Sequence, residues 1–131
     1  MALNFLLIAC GGAIGSVMRY AISGWVQRLA IGAVELFPIG TLAVNVAGCL
    51  LIGLLAALFA SPHMLREETR LFLLVGVLGG FTTFSTFGLE TFQLINDRQW
   101  TWAAANVLVT NVACLASVWI AYRLGERWWG A

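Results

Sequence analysis

The run Gly76-Val77-Leu78-Gly79-Gly80-Phe81-Thr82-Thr83-Phe84-Ser85-Thr86-Phe87 carries the residues best suited to handling an ion, inside an otherwise apolar segment. Its three glycines fall within five residues, and each costs roughly 1 kcal/mol of helix propensity relative to alanine. Four hydroxyl side chains then alternate with phenylalanines. A break in a helix at membrane depth is tolerated only where protein or a water-filled cavity satisfies the freed peptide groups. Such breaks expose carbonyls and amides to an ion. A small-residue packing face with core aromatics is the competing reading. Glu90 lies beyond the run and is the only acidic residue well inside an apolar segment. Thr83, Phe87 and Glu90 follow at intervals of four and three, a spacing that places them on one helix face.

The surrounding chain is built for lipid. Of 131 residues, 61% are hydrophobic and 10% charged, and the mean hydropathy is +0.92. A soluble domain carries about a quarter charged residues. A membrane span needs about 20 apolar residues, so the chain reads as a single four-span domain over residues 1–131. Lysine is absent and the net charge is +1, which gives no footprint for nucleic acid. Cys10, Cys49 and Cys114 each fall in an apolar segment without metal-ligand spacing and read as free thiols. Leu7-Ile8-Ala9-Cys10 superficially suggests a lipoprotein cleavage site. No basic residue precedes it, so the first segment is expected to remain as a span.

The spans are expected at about 3–25, 37–60, 71–95 and 103–122. In the first, Gly11 and Gly15 form a small-xxx-small pair that lets helices approach closely. Arg19 either snorkels to the interface or lines the mouth of an aqueous pathway. The second begins at Phe37-Pro38, with proline suited to a first helical turn. It holds Asn45 among small residues, as inter-helix glue or as a donor to an ion. His63, beside Pro62 in a polar connection, reads as solvated. In the fourth, Asn106, Thr110, Cys114 and Ser117 share one face, a seam or a pore lining. Trp25, Trp100 and Trp102 mark one membrane interface, and Arg127-Trp128-Trp129 in the tail mark the other.

Loop charge is nearly balanced. Arg66, Arg70, Arg123 and Arg127 fall on one side, and Arg28 and Arg98, with Arg19 nearby, on the other. That is a weak bias under the positive-inside rule, and it allows the chain to insert in both orientations.

Three motifs in order resemble the CrcB family, the Fluc-type bacterial fluoride channels, across essentially the whole chain. Gly11-Gly12-Ala13-Ile14-Gly15 through Arg19-Tyr20 is similar to the family's glycine-rich first helix. Phe37-Pro38-Ile39-Gly40-Thr41-Leu42-Ala43-Val44-Asn45 resembles its proline-x-glycine-threonine-leucine signature ending in asparagine. Gly79 through Phe87, followed by Glu90, resembles the third-helix signature. The resemblance implies an all-α fold with a third helix broken at its centre. It implies an antiparallel, dual-topology homodimer with two fluoride pores and a central Na+ in the bacterial cell membrane. By motif, the sodium-binding carbonyls match Gly79 and Thr82, the pore phenylalanines Phe84 and Phe87, and the pore asparagine Asn45. The hydroxyl track matches Ser85, Thr86 and Thr110. Arg19 and Glu90 match the vestibule arginine and third-helix glutamate. The family often has a hydroxyl one turn after Thr110, where this chain has Cys114.

These residue types suit a small, tightly hydrated anion. Asn45 offers amide N–H groups and the hydroxyls offer rotatable O–H donors. An aromatic ring presents a positive edge, which contacts an anion without holding it too firmly to leave. A small multidrug-type proton-coupled antiporter is the main alternative, but it needs a carboxylate in the first span, and this one has only Arg19. A structural membrane subunit and an enzyme are weaker readings. There is no paired catalytic carboxylate, no His–Cys arrangement and no phosphate loop with a lysine.

Overall fold

The computed structural model describes residues 1–32, 36–60 and 66–130. Glu35, Pro62 and His63 lie outside them. Four helical segments are long and apolar enough to cross a membrane: α1 (Ala2–Leu29), α2 (Ile39–Ala60), α3 (Glu67–Asn96) and α4 (Trp100–Trp129). The expectation of an all-α, four-span chain holds, and so does a third helix that is not continuous. Little of each span is buried within the protomer, between 11% and 28% of the best apolar window. The chain therefore presents most of its apolar surface outward, as a lipid-embedded protein does.

α3 is built in pieces. One turn at Glu67–Arg70 leads into a wide, π-helical stretch at Leu71–Leu78, followed by a turn at Gly79–Phe81. Thr82 (φ −87°, ψ 157°) and Thr83 (φ −151°, ψ 118°) are extended, and helix resumes over Phe84–Asn96. The glycines are not where the backbone opens. Gly79 is helical at φ −63°, ψ −35°, and the break falls on the two threonines after it. Thr83 consequently does not share a helix face with Phe87 and Glu90. It caps the second half of α3, its side chain accepting from the Thr86 amide at 3.1 Å, as an N-terminal threonine does for one of the orphan amides of a first turn.

What the glycines provide is approach. A Cβ at Gly15 would stand 2.0 Å from the Val77 carbonyl oxygen, and one at Gly80 would stand 2.5 Å from the Gly12 carbonyl oxygen. Gly11 and Gly76 oppose each other in the same seam. Two small-xxx-small stripes, one on each helix, thus let α1 lie backbone to backbone against the first half of α3. α2 packs along α4, where Gly53 meets Val118 and Ala121. Their upper ends are pinned by the Phe37 and Trp102 rings, with centroids 6.0 Å apart. Val44, Leu78 and Phe81 form the small buried core between the two pairs.

α4 runs further than its apolar stretch predicts. The expected interfacial tail, Arg123 to Trp129, is the last two turns of the helix. An Arg123–Glu126 pair at 2.9 Å supports those turns. Gly130 ends them in a left-handed conformation at φ +67°, which glycine adopts without a Cβ penalty.

Candidate functional site

Asn45 and the α3 break are built for each other. The Thr83 amide donates to Asn45 Oδ1 at 2.8 Å, and Asn45 Nδ2 donates to the Thr83 carbonyl at 3.1 Å. A single carboxamide therefore satisfies both backbone polar groups of one extended residue, which apolar surroundings require. Gly48, one turn along α2, leaves room for the Thr82 methyl group, which a Cβ there would meet at 2.2 Å. The Thr82 hydroxyl bonds back to the Leu78 carbonyl at 2.9 Å.

The break frees particular carbonyls. In a continuous helix the Thr83 amide would bond to the Gly79 carbonyl and the Thr86 amide to that of Thr82. Both amides are diverted, to Asn45 and to the Thr83 hydroxyl. Gly79 and Thr82 thus lose their i+4 donors. Gly80, between them, has its carbonyl taken by Arg19 Nε at 3.1 Å. Arg19 lies ten residues before the end of α1 and is half-buried, so it is tied to the break rather than extended to the interface.

Past the break the residues divide by exposure. Phe84 is 78% exposed and Phe87 only 7%, with ring centroids 5.3 Å apart and planes at 45°. Ser85 is exposed and Thr86 half-buried. The hydroxyl protons are mostly committed. Thr83 donates to Thr86 at 2.9 Å, and Ser85 lies 3.3 Å from Thr83. Thr86 is the hydroxyl in this run whose proton engages no other described protein atom.

Thr110 stands differently from the expectation of a free donor. Its hydroxyl donates to Asn106 Oδ1 at 3.1 Å, Asn106 Nδ2 donates to Thr91 at 2.9 Å, and Thr91 donates to the Phe87 carbonyl at 2.7 Å. The polar face of α4 is therefore, in this part, a seam that fastens α4 to the second half of α3. Asn106 is 1% exposed, and its position in that chain was visible in sequence only as part of the polar stripe. Glu90 accepts from the Thr41 hydroxyl at 2.6 Å, while its Oε2 is buried without a partner among the described residues. Glu90 and Arg19 are not brought together.

Asn45, Gly79, Thr82, Thr83, Phe84, Phe87 and Thr110 all line one open groove of about 320 Å³, together with Cys49 and Cys114. Thr41 and Glu90 line a second cavity, of about 440 Å³, with Gln27 and Asp97. Of the sequence-predicted residues, six thus gather at the first place and Glu90 at the second, while Arg19, Ser85 and Thr86 line neither. The first combines amide, phenyl and freed carbonyl groups at an unfilled face.

Comparison with known proteins gives the chain's family. Residues 6–122 match the family model described as CrcB-like protein, Camphor Resistance (CrcB). A Rhodospirillum rubrum protein named fluoride-specific ion channel FluC is 42% identical over 123 residues, covering 92% of each chain. Proteins of the same name from Opitutus terrae and Agrobacterium fabrum are 49% and 46% identical. They cover 90% and 95% of this chain and 89% and 98% of their own. With matches of this extent, and the broken third helix that the motifs call for, the chain belongs to the CrcB family of membrane proteins.

Proposed function

We propose that this chain is a fluoride-selective channel of a bacterial cell membrane, conducting passively and so protecting against fluoride toxicity. The observation that carries it is the groove in which Asn45, the broken backbone at Thr82–Thr83 and the Phe84–Phe87 pair meet, in a chain similar over about nine-tenths of its length to proteins named fluoride-specific channels. Fluoride gives up its water only to short-range donors. Asn45 has one N–H beyond the one bonded to Thr83, and Thr86 has a free hydroxyl proton. Phenyl edges add weak positive contacts, which let the ion leave as readily as it enters. Ser85, exposed beside Phe84 and 3.3 Å from the Thr83 hydroxyl, is the further member of the hydroxyl track in this reading.

The groove is open in one protomer, and a second copy in the opposite orientation is its occupant in this reading. Phe84 and Gly79 are then covered rather than left facing acyl chains, and two pores form per dimer. Nearly balanced loop arginines support insertion in both orientations. The carbonyls of Gly79 and Thr82, deprived of helical donors, fit a hard monovalent cation such as Na+, since unwound carbonyls at a helix break are suitable ligands for it. When bound, Na+ supplies positive charge that offsets exposed carbonyl oxygens. Arg19 does the same for Gly80 through its guanidinium.

Fluoride efflux from proteoliposomes tests the reading. Rapid efflux without a proton gradient, with chloride nearly excluded, is expected. Efflux that stops when the proton gradient is collapsed would replace the channel by a proton-coupled antiporter. No fluoride movement from well-folded protein would remove both.

A further inference from the structure

Cys49 on α2 and Cys114 on α4 line one groove as neighbours across the helix pair. The register of the pair explains it. Phe37 meets Trp102 and Gly53 meets Val118, and Cys49 and Cys114 stand at the same sequence separation between those two contacts. Both thiols are free, half-buried, and line the groove that also holds Asn45, Phe84 and Phe87. The third cysteine, Cys10, is exposed on α1 and outside the groove.

We propose that Cys49 and Cys114 form a two-thiolate site for a thiophilic cation that accepts two-coordinate binding, of the Cu+, Ag+ or Hg2+ class. Soft sulfur ligands select soft cations. Zinc needs a four-ligand set, and among the described residues no three His, Cys, Asp or Glu side chains gather. Binding requires no oxidant. Each S–H loses its proton to solvent and each sulfur forms one bond to the metal, so two protons are released per cation. Hg2+ leaves a neutral bis-thiolate, which suits an apolar groove. The consequence for transport rests on the channel reading: a cation held beside Thr110 obstructs the groove through which fluoride would pass.

The experiment titrates HgCl2 into the purified full chain carrying C10A. The ultraviolet thiolate-to-mercury charge-transfer band should saturate at one Hg2+ per chain with release of two protons. In C10A/C49A and C10A/C114A one proton should be released, and 2-mercaptoethanol should remove the metal at concentrations at least a hundredfold lower. Saturation at two Hg2+ per chain, or equal resistance to the competing thiol in the single-cysteine variants, would overturn the site. In proteoliposomes, one equivalent of Hg2+ should cut fluoride efflux at least tenfold in C10A and leave C10A/C49A/C114A at its own uninhibited rate. Should the titration hold while efflux is untouched, the metal site stands and the groove's role in conduction falls.

Discussion

Asn45 and Thr83 are bonded in both directions, carboxamide to peptide, at 2.8 and 3.1 Å. The pairing couples α2 to the break and determines which oxygens the break releases. Asn45→Asp keeps the acceptor for the Thr83 amide but sets a second oxygen against the Thr83 carbonyl. A buried group left unsatisfied costs about 1–3 kcal/mol. The expected outcome is a lower thermal unfolding midpoint in detergent together with loss of fluoride efflux. An Asn45→Asp chain that matches the parent in both measurements would show that the pairing does not hold the break.

The close approach of α1 to α3 predicts a sharp contrast between two glycines. Gly15→Ala brings a methyl to 2.0 Å from the Val77 carbonyl oxygen and 2.8 Å from the Phe81 amide nitrogen. Since both neighbours are backbone, the helices must separate. Gly24→Ala meets nothing within 4 Å, and there alanine gains up to about 1 kcal/mol of helix propensity. Expression yield and thermal midpoint should fall for the first and hold or rise for the second.

The difference between those glycines also marks what the sequence could and could not convey. Four spans were legible because lipid demands long apolar runs, and Gly11-xxx-Gly15 announced a close helix contact. That Gly76 and Gly80 form the opposing stripe was not legible, since glycine is equally the residue of an opened backbone. The break moved to Thr82 and Thr83 because Asn45 and the Thr83 hydroxyl supply better partners there than the helix does. The α4 stripe was visible, but whether Thr110 faced an ion or Asn106 depended on Thr91, which bonds Asn106 from fifteen residues away on another element's face.

Phe84 and Phe87 should respond differently to substitution although both lie beside the groove. Phe84 is largely exposed on the protomer, so Phe84→Ile should leave the thermal midpoint of the monomeric fold near the parent while fluoride efflux falls at least tenfold. Phe87 is buried, and Phe87→Ala should cost on the order of 3 kcal/mol from the cavity alone. Efflux assays paired with unfolding curves separate the two effects. Parental efflux in Phe84→Ile would move the anion path away from this ring.

The near balance of arginines between the two sides predicts that orientation can be forced. Three lysines appended after Ala131 add charge to the side already bearing Arg66, Arg70, Arg123 and Arg127, and should hold that side in the cytoplasm. Asn96→Lys with Gln99→Arg should bias the chain the other way. If both orientations are needed in one dimer, each biased chain alone should give little efflux, and co-expression of the two should restore it. Cysteine accessibility from either side of the membrane checks the orientations themselves. Full efflux from a chain shown to insert one way only would mean that the groove is closed by a parallel copy, and the antiparallel dimer would be wrong.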